Sequence, residues 1–195
     1  ERLALLWRDG GVYLDSDVLL VRPLRLPDSP AALARPAPDG LSGELRNALG
    51  VESRAGEQTS QQVLNGAVLV FDAESPFLWQ AMHEFAAKYM ADRWGWNGPE
   101  LLTRVSNLCG GASVQPVDSF YPLHWQDVAM YAGSERMERQ QAMWETISRR
   151  SYAVHLWNRK SSALTLHPQS VLGRLLVAWK VLPTEGWSAE AGAAL

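Results

Sequence analysis

Apolar residues recur along this chain with two periods, and the switches between them outline its elements. Leu3, Leu6 and Trp7 fall at helical spacing. That run should stop at Gly10-Gly11, because glycine adopts the left-handed conformation that commonly ends a helix. Val12 to Val21 is dense in apolar and β-branched residues, as in a strand buried on both faces; Asp15 and Asp17 interrupt it and Pro23 closes it. From Leu26 to Gln62 the chain turns rich in Pro, Ala, Ser and Gly, which reads as a solvated loop with a short helical turn over Glu44 to Leu49.

Val63 to Asp72 is the next predicted strand. Pro76 to Trp94 has the periodicity of an amphipathic helix, with Pro76 in its first turn and Phe77, Met82, Phe85 and Tyr89 among its apolar positions. A second helix is expected from Pro99 to about Leu108, then a short strand over Ser113 to Val117 and an aromatic segment, Phe120 to Trp125, too apolar for an ordinary connector. Ser134 to Arg150 predicts a helix, Tyr152 to Trp157 a short strand, and Val171 to Val181 a helix ended by Pro183. Strands alternating with helices predict an α/β architecture, helices flanking a mainly parallel sheet. One domain is expected over residues 1–182, with the loop at about 26–62 inside it and a flexible tail over 183–195.

Composition narrows the function. With 195 residues, 47% hydrophobic content and nine tryptophans, the chain can bury one substantial core, which excludes disorder as a whole. A formal charge of -3 with scattered Lys and Arg supplies no basic field for nucleic acid. No apolar run approaches the roughly 20 residues of a membrane span, and no signal-peptide pattern is present. The lone cysteine, Cys109, reads as a buried thiol or as half of a bridge to a residue outside this sequence. The opening helix has no capping residue ahead of it and the first residue is Glu1, so the chain is expected to begin mid-protein.

Asp15 and Asp17 carry the first chemical signal. Two apart in an extended segment, their carboxylates project to one side while Ser16 points away. Such a pair suits Mn²⁺ or Mg²⁺, hard cations that take carboxylate and water oxygens and are completed by substrate phosphates. The spacing alone is equally that of a turn or a solvated strand end. Its apolar flanks argue for the cation, since two carboxylates between Val12-Tyr13-Leu14 and Val18-Leu19-Leu20-Val21 are costly without compensation.

The stretch LALLWRDGGVYLDSDVLLVRPL, Leu3 to Leu24, resembles the segment around the metal-binding Asp-x-Asp of glycosyltransferases with the GT-A fold. It is most similar to the α-1,4-glycosyltransferase branch, which includes galactosyl- and N-acetylglucosaminyltransferases. Leu64-Asn65-Gly66-Ala67, Trp94 to Arg104 (WGWNGPELLTR), Phe120-Tyr121-Pro122 with Trp125-Gln126-Asp127, and Tyr152 to Asn158 (YAVHLWN) follow in the order of that family. The resemblance spans Leu3 to about Ser162.

What the resemblance implies is a GT-A-like nucleotide-diphospho-sugar transferase. It would move a hexose or N-acetylhexosamine from a UDP-sugar to a glycan or glycolipid, with Mn²⁺ or Mg²⁺ bound and the anomeric configuration retained. Carried over, Asp15 and Asp17 hold metal and donor, and His155 joins them beside the diphosphate; by spacing alone His155 is a core histidine of a short strand. Lys160, next to Arg159, would neutralise the departing diphosphate, or else belongs to a solvated basic pair. Asn65 and Gly66 stand where a strand begins, and glycine lets a sugar or backbone approach closely, as it also would in an ordinary turn. Asn97 precedes a predicted helix start, a place for anions or sugar hydroxyls and equally for a cap. Asn65, Asn97 and Asp127 are the candidate catalytic residues; Asp15, Asp17, Gly66, His155 and Lys160 the candidate donor-binding ones. Trp94, Trp96, Tyr121 and Trp125 are placed to stack on sugar faces or to sit in the core.

Retention through a double displacement needs a nucleophile opposite the leaving group, and no carboxylate stands out for it. Front-face attack, with a donor phosphate oxygen taking the acceptor proton, is the expected mechanism. The resemblance places the activity on the lumenal side of the Golgi, with membrane association only through segments outside this sequence. A GT-A fold normally opens with strand and helix units that hold the nucleotide base. Their strands are expected to be lacking here, leaving an unpaired apolar edge near Val12 to Leu14. The alternatives are an α-1,6-mannosyltransferase-like enzyme using GDP-mannose and a catalytically silent glycan-binding fragment.

Overall fold

A computed structural model describes residues 1–27, 29, 37–41, 43–52 and 62–178. Helix α1, Arg2–Asp9, ends at Gly10 in the left-handed region, φ 67°. A Cβ at Gly10 would lie 2.7 Å from the Ala73 nitrogen, so close approach and backbone conformation both require glycine. Strand β1, Gly11–Leu14, follows directly.

The single strand expected over Val12 to Val21 is two strands, β1 and β2 (Val18–Leu20), separated by a turn at Asp15-Ser16-Asp17. The Val18 N–H donates to the Asp15 carbonyl at 3.1 Å. Aspartate and serine favour such local turns over ladder positions, which is why the apolar run breaks there.

Strand β3, Ala48–Glu52, lies inside the segment expected to be loop, and it replaces the helical turn expected over Glu44 to Leu49. Strand β4, Val63–Phe71, is the spine of the sheet. Leu69 and Phe71 face one core cluster with α1 and the two helices that follow, while Val68 and Val70 face a second with Phe120, Tyr121 and Tyr152. Burial on both faces explains its unbroken apolar run.

Helix α2 is Pro76–Ala87, shorter than the stretch to Trp94, and α3 is Pro99–Cys109. The buried Glu84 of α2 joins them through Arg104 of α3 at 3.2 Å. Cys109 is exposed, contrary to the expected buried thiol, because it ends α3 on its outer side. Then come β5 (Ser113–Gln115), the short helix α4 (Val117–Phe120) and a 3-10 turn over Val128–Tyr131. Helix α5 (Met137–Arg150), β6 (Ala153–His155), the single turn α6 (Asn158–Ser161) and α7 (Val171–Ala178) complete the described chain. The tail expected over 183–195 lies outside the described residues.

Four strands pair in the order β1-β4-β3-β5, and β2 pairs with β6 in a separate ribbon. The mainly parallel sheet is not what forms. β1 and β3 run antiparallel to β4, β2 runs antiparallel to β6, and among the described strands only β3 and β5 are parallel. Alternation of strands and helices was the basis for a parallel sheet, and it missed β3, which inserts between β4 and β5. Within the described sheet β1 is an end strand, with Val12 and the neighbouring helix residue Leu5 both exposed.

The β3–β4 register is broken between Leu49, opposite Leu69, and Gly50, opposite Asn65. The displaced residues are held by side chains: the Asn65 Oδ1 accepts the Ala67 N–H at 2.8 Å, and the Tyr121 hydroxyl accepts the Val68 N–H at 3.0 Å. Phe120 and Tyr121 press on this point so closely that a Cβ at Gly50 would meet their rings at 2.8 and 2.7 Å. That irregularity carries Gly66 and the sheet side of the site described next.

Candidate functional site

The Asp15-Ser16-Asp17 turn passes the chain from one sheet to the other. The Asp15 N–H donates to the Ala67 carbonyl at 2.8 Å, extending the β1–β4 ladder, and the Asp17 carbonyl accepts the Leu156 N–H at 2.8 Å, extending the β2–β6 ladder. Both carboxylates therefore emerge at the seam. They reach a common place through a turn rather than by the alternation of an extended strand.

Asp15 is held from the four-stranded side. Its Oδ1 accepts the Tyr13 hydroxyl at 2.6 Å and an Arg2 N–H at 3.1 Å. Arg2 also donates to the Gly66 carbonyl at 2.9 Å and lies 4.8 Å over the Tyr13 ring. Burial, with the hydrogen bond to Asp15 next in weight, raises the Tyr13 phenol above its ordinary pKa, so it stays a donor. Asp17 is held from the ribbon side: its Oδ1 lies 3.1 Å from the His155 Nε2, and its Oδ2 accepts the Asn158 N–H at 2.8 Å.

His155 is buried, and burial lowers its pKa even though Asp17 and Asp15 pull the other way, so the ring is neutral at neutral pH. A carboxylate can only accept, so as the partner of Asp17 the Nε2 carries the proton; as a cation ligand it would present its lone pair instead, with the proton on the buried Nδ1, which has no partner among the described residues. Trp157 packs on the ring at 4.0 Å between centroids and anchors itself through its indole N–H to the Leu123 carbonyl at 2.6 Å.

One ligand atom from each of Asp15, Asp17 and His155 falls within 4.8 Å of the others. Ligand–cation distances of about 2.0–2.6 Å separate two ligands of one ion by at most about 5 Å, so the spread fits a single divalent cation. Two carboxylates and a neutral imidazole also suit Mn²⁺ chemically, and the carboxylates suit Mg²⁺.

The trio opens into a cleft of about 1380 Å³. Asn65, Gly66, Asn97 and Lys160 line it with Asp15, Asp17 and His155, bringing seven of the eight expected site residues to one space. Asp127 is not among the lining residues; it precedes the 3-10 turn, where its carbonyl accepts the Met130 N–H. Asn65 donates to Glu52 Oε2 at 2.7 Å while its oxygen holds Ala67, so both ends of the amide are engaged. Asn97 is similarly occupied, clamping the Met90 backbone N–H and carbonyl. Lys160 stands 5.6 Å over the Trp125 ring and has no acidic partner among the described residues.

Sequence reasoning missed three contributors. Arg2 and Tyr13 had a faint signal, being one helical element and one strand step from the dyad. Glu52, which lines the cleft beside Asn65, had none: it sits at the end of a strand hidden in a Pro-rich and Ser-rich stretch, and only its long-range pairing with Val63 brings it there.

Comparison with known proteins places this geometry in context. Residues 70–178 match the model of the alpha 1,4-glycosyltransferase conserved region, and residues 1–35 that of a glycosyltransferase sugar-binding region containing a DXD motif. A lactosylceramide 4-alpha-galactosyltransferase of Mus musculus is 34% identical over 182 residues, 87% of this chain and 43% of the relative. A human alpha-1,4-N-acetylglucosaminyltransferase is 30% identical over 174 residues, 81% of this chain and 41% of the relative. The chain thus spans less than half the length of these two relatives. No solved structure matches it significantly.

Proposed function

We propose that this chain, which belongs to the alpha 1,4-glycosyltransferase family, takes part in moving a hexose or N-acetylhexosamine from a UDP-sugar to a glycan or glycolipid with retention at the anomeric carbon. The observation that carries the reading is the convergence of Asp15, Asp17 and His155 within 4.8 Å at a cleft. The DXD family region covers both aspartates. The named acceptor of the galactosyltransferase relatives, lactosylceramide, supports a glycolipid, and the Golgi lumen is part of the same proposal.

In this reading Asp15, Asp17 and His155 hold Mn²⁺ or Mg²⁺, which when bound stabilises the charge of the leaving diphosphate. Lys160 and Arg159 add positive charge to the same cleft. Arg2 counters Asp15 and fixes its rotamer through the Gly66 carbonyl. Asn65 acts by orienting Glu52, to which its amide nitrogen donates while its amide oxygen holds the Ala67 N–H. Front-face transfer, with the acceptor proton passing to a donor phosphate oxygen, asks these residues chiefly to position and neutralise.

Donor hydrolysis with a panel of nucleotide sugars, with Mn²⁺ and with chelator, tests the proposal. Metal-dependent turnover of UDP-galactose or UDP-N-acetylglucosamine is expected. Turnover of GDP-mannose alone would move the chain to the mannosyltransferase reading, and binding of glycan without turnover of any donor would make it a silent glycan-binding protein.

A further inference from the structure

The cleft holds a carboxylate to which neither the metal site nor a salt bridge gives a role. Of the acidic lining residues, Asp15 and Asp17 form the dyad and Glu100 pairs with Arg93 at 2.7 Å. Glu1 stands exposed ahead of α1, held by no side chain among the described residues. Glu52 is left. The aromatic residues of the region supply no compensating charge. Trp94 and Trp125 line the cleft, Tyr121 is buried with its hydroxyl committed to the Val68 N–H and the Asn65 carbonyl, and Trp96 carries the Arg104 guanidinium 3.8 Å over its ring.

Glu52 is fixed by the irregular stretch of the β3–β4 pair. It lies opposite Val63, so Asn65, opposite Gly50, is its diagonal neighbour. Asn65 is 7% exposed; its amide nitrogen donates to Glu52 Oε2 at 2.7 Å while its oxygen is held by the Ala67 N–H. Oε1 has no hydrogen-bond partner among the described residues, and the carboxylate has no cationic one there. A carboxylate set by a buried amide instead of a cation presents its negative charge uncompensated. That charge reaches the metal site: burial lowers the His155 pKa, and Asp17, Asp15 and Glu52 act against it.

Beside a bound diphosphate such a charge is unfavourable. It turns favourable once the bond from the donor sugar to the diphosphate stretches and positive charge develops on the anomeric carbon and ring oxygen. A group that gains its attraction only in the transition state lowers the barrier without tightening donor binding.

We propose that Glu52 is a catalytic residue of the transfer, its carboxylate facing the anomeric carbon and ring oxygen of the donor hexose and stabilising through space the positive charge they gain. This rests on the glycosyltransferase reading and deepens it. The C1–O bond of the donor breaks with its electron pair leaving on the diphosphate. The acceptor oxygen forms the new C1–O bond on the same face, and the acceptor proton passes to a donor phosphate oxygen. No bond forms to Glu52, which enters and leaves the step as a carboxylate. Asn65 is its positioning residue.

The test compares the wild-type chain with E52Q and E52D, measuring kcat and KM with UDP-galactose and UDP-N-acetylglucosamine and, by calorimetry, UDP–Mn²⁺ affinity. Glu52→Gln keeps the size and the oxygen that accepts from Asn65 and loses the charge; circular dichroism checks its fold. It should lower kcat by about 100-fold or more, with KM and UDP–Mn²⁺ affinity unchanged or slightly improved. Glu52→Asp, charged but one methylene shorter, should show the same split to a smaller extent, and it decides the matter if the glutamine variant does not fold. Binding gives a second readout without turnover: with UDP and Mn²⁺ present, 1-deoxygalactonojirimycin, a protonated sugar ring, should bind the wild type about tenfold or more tightly than E52Q. Equal kcat in variant and wild type, equal iminosugar binding by both, or UDP–Mn²⁺ affinity falling as far as kcat overturns the role of Glu52 and leaves the transferase reading standing. A glycosyl ester on Glu52 in mass spectra of the donor-loaded chain overturns stabilisation through space in the same way. A wild type that neither turns over a donor nor binds UDP–Mn²⁺ overturns the transferase reading itself, and the role of Glu52 with it.

Discussion

Asp15 and Asp17 are two residues apart yet belong to different halves of the molecule. Asp15 continues the four-stranded sheet, whose β4 has Val68, Leu69, Val70 and Phe71 all buried across two core clusters. Asp17 continues the β2–β6 ribbon, with only three residues in each strand. A ribbon of that size is not stable alone. It is held by a third cluster, in which Val154 packs with Leu123, Ile147 and Leu172. The contrast shows what the dyad is: two carboxylates delivered from opposite sides of a seam. A cation bound to both would join the sheets as well as bind a donor, coupling site geometry to folding.

The largest effect should come from breaking the seam at either bank. Asp15→Asn and Asp17→Asn each remove a charged ligand at constant volume. Since outer partners of metal ligands already cost about 10–100-fold, loss of a direct ligand should reduce Mn²⁺-dependent UDP binding by more than about 100-fold, with the circular dichroism spectrum unchanged. Calorimetry decides it; wild-type binding of Mn²⁺ and nucleotide by both variants would end the metal assignment.

An intermediate effect is expected from the sheet bank. Tyr121→Phe strips the buried Val68 N–H and Asn65 carbonyl of their shared partner, for about 1–3 kcal/mol in denaturant unfolding. Gly50→Ala drives a methyl into the Phe120 and Tyr121 rings, overpacking that costs about 1–3 kcal/mol. If either variant lowers metal affinity more than stability, the two banks are coupled more tightly than the contacts indicate.

The smallest effect should come from the charge that faces Asp15. Arg2→Met removes a partly exposed ion pair worth about 0.2–1 kcal/mol, so Mn²⁺ alone should bind up to a few-fold more tightly once its competitor is gone. Manganese paramagnetic resonance reads this without nucleotide. Weaker metal binding in Arg2→Met would mean that Arg2 orients Asp15 more than it competes with the cation.

Much of this was legible in the residues. The helix stop at Gly10, the β4 run, the Pro76 and Pro99 helix starts and the Asp-x-Asp signal are local properties of propensity and turn chemistry, and each appears close to where the pattern puts it. His155 was found through order of motifs rather than spacing, since 138 residues separate it from Asp17.

The sequence by itself determined which segments are apolar on one face or two, where they break and which residues carry oxygen and nitrogen ligands. Tertiary structure alone decided that the dyad's strand splits into two, that β3 rises out of a Pro-rich stretch to take Glu52 into the cleft, and that the sheet is mixed. It also sorted four similar aromatics into two that hold the fold and two that face the cleft. The reason is range: propensity acts over a few neighbours, whereas ladder partners, ring neighbours and ligand sets are chosen by packing between residues far apart in the chain.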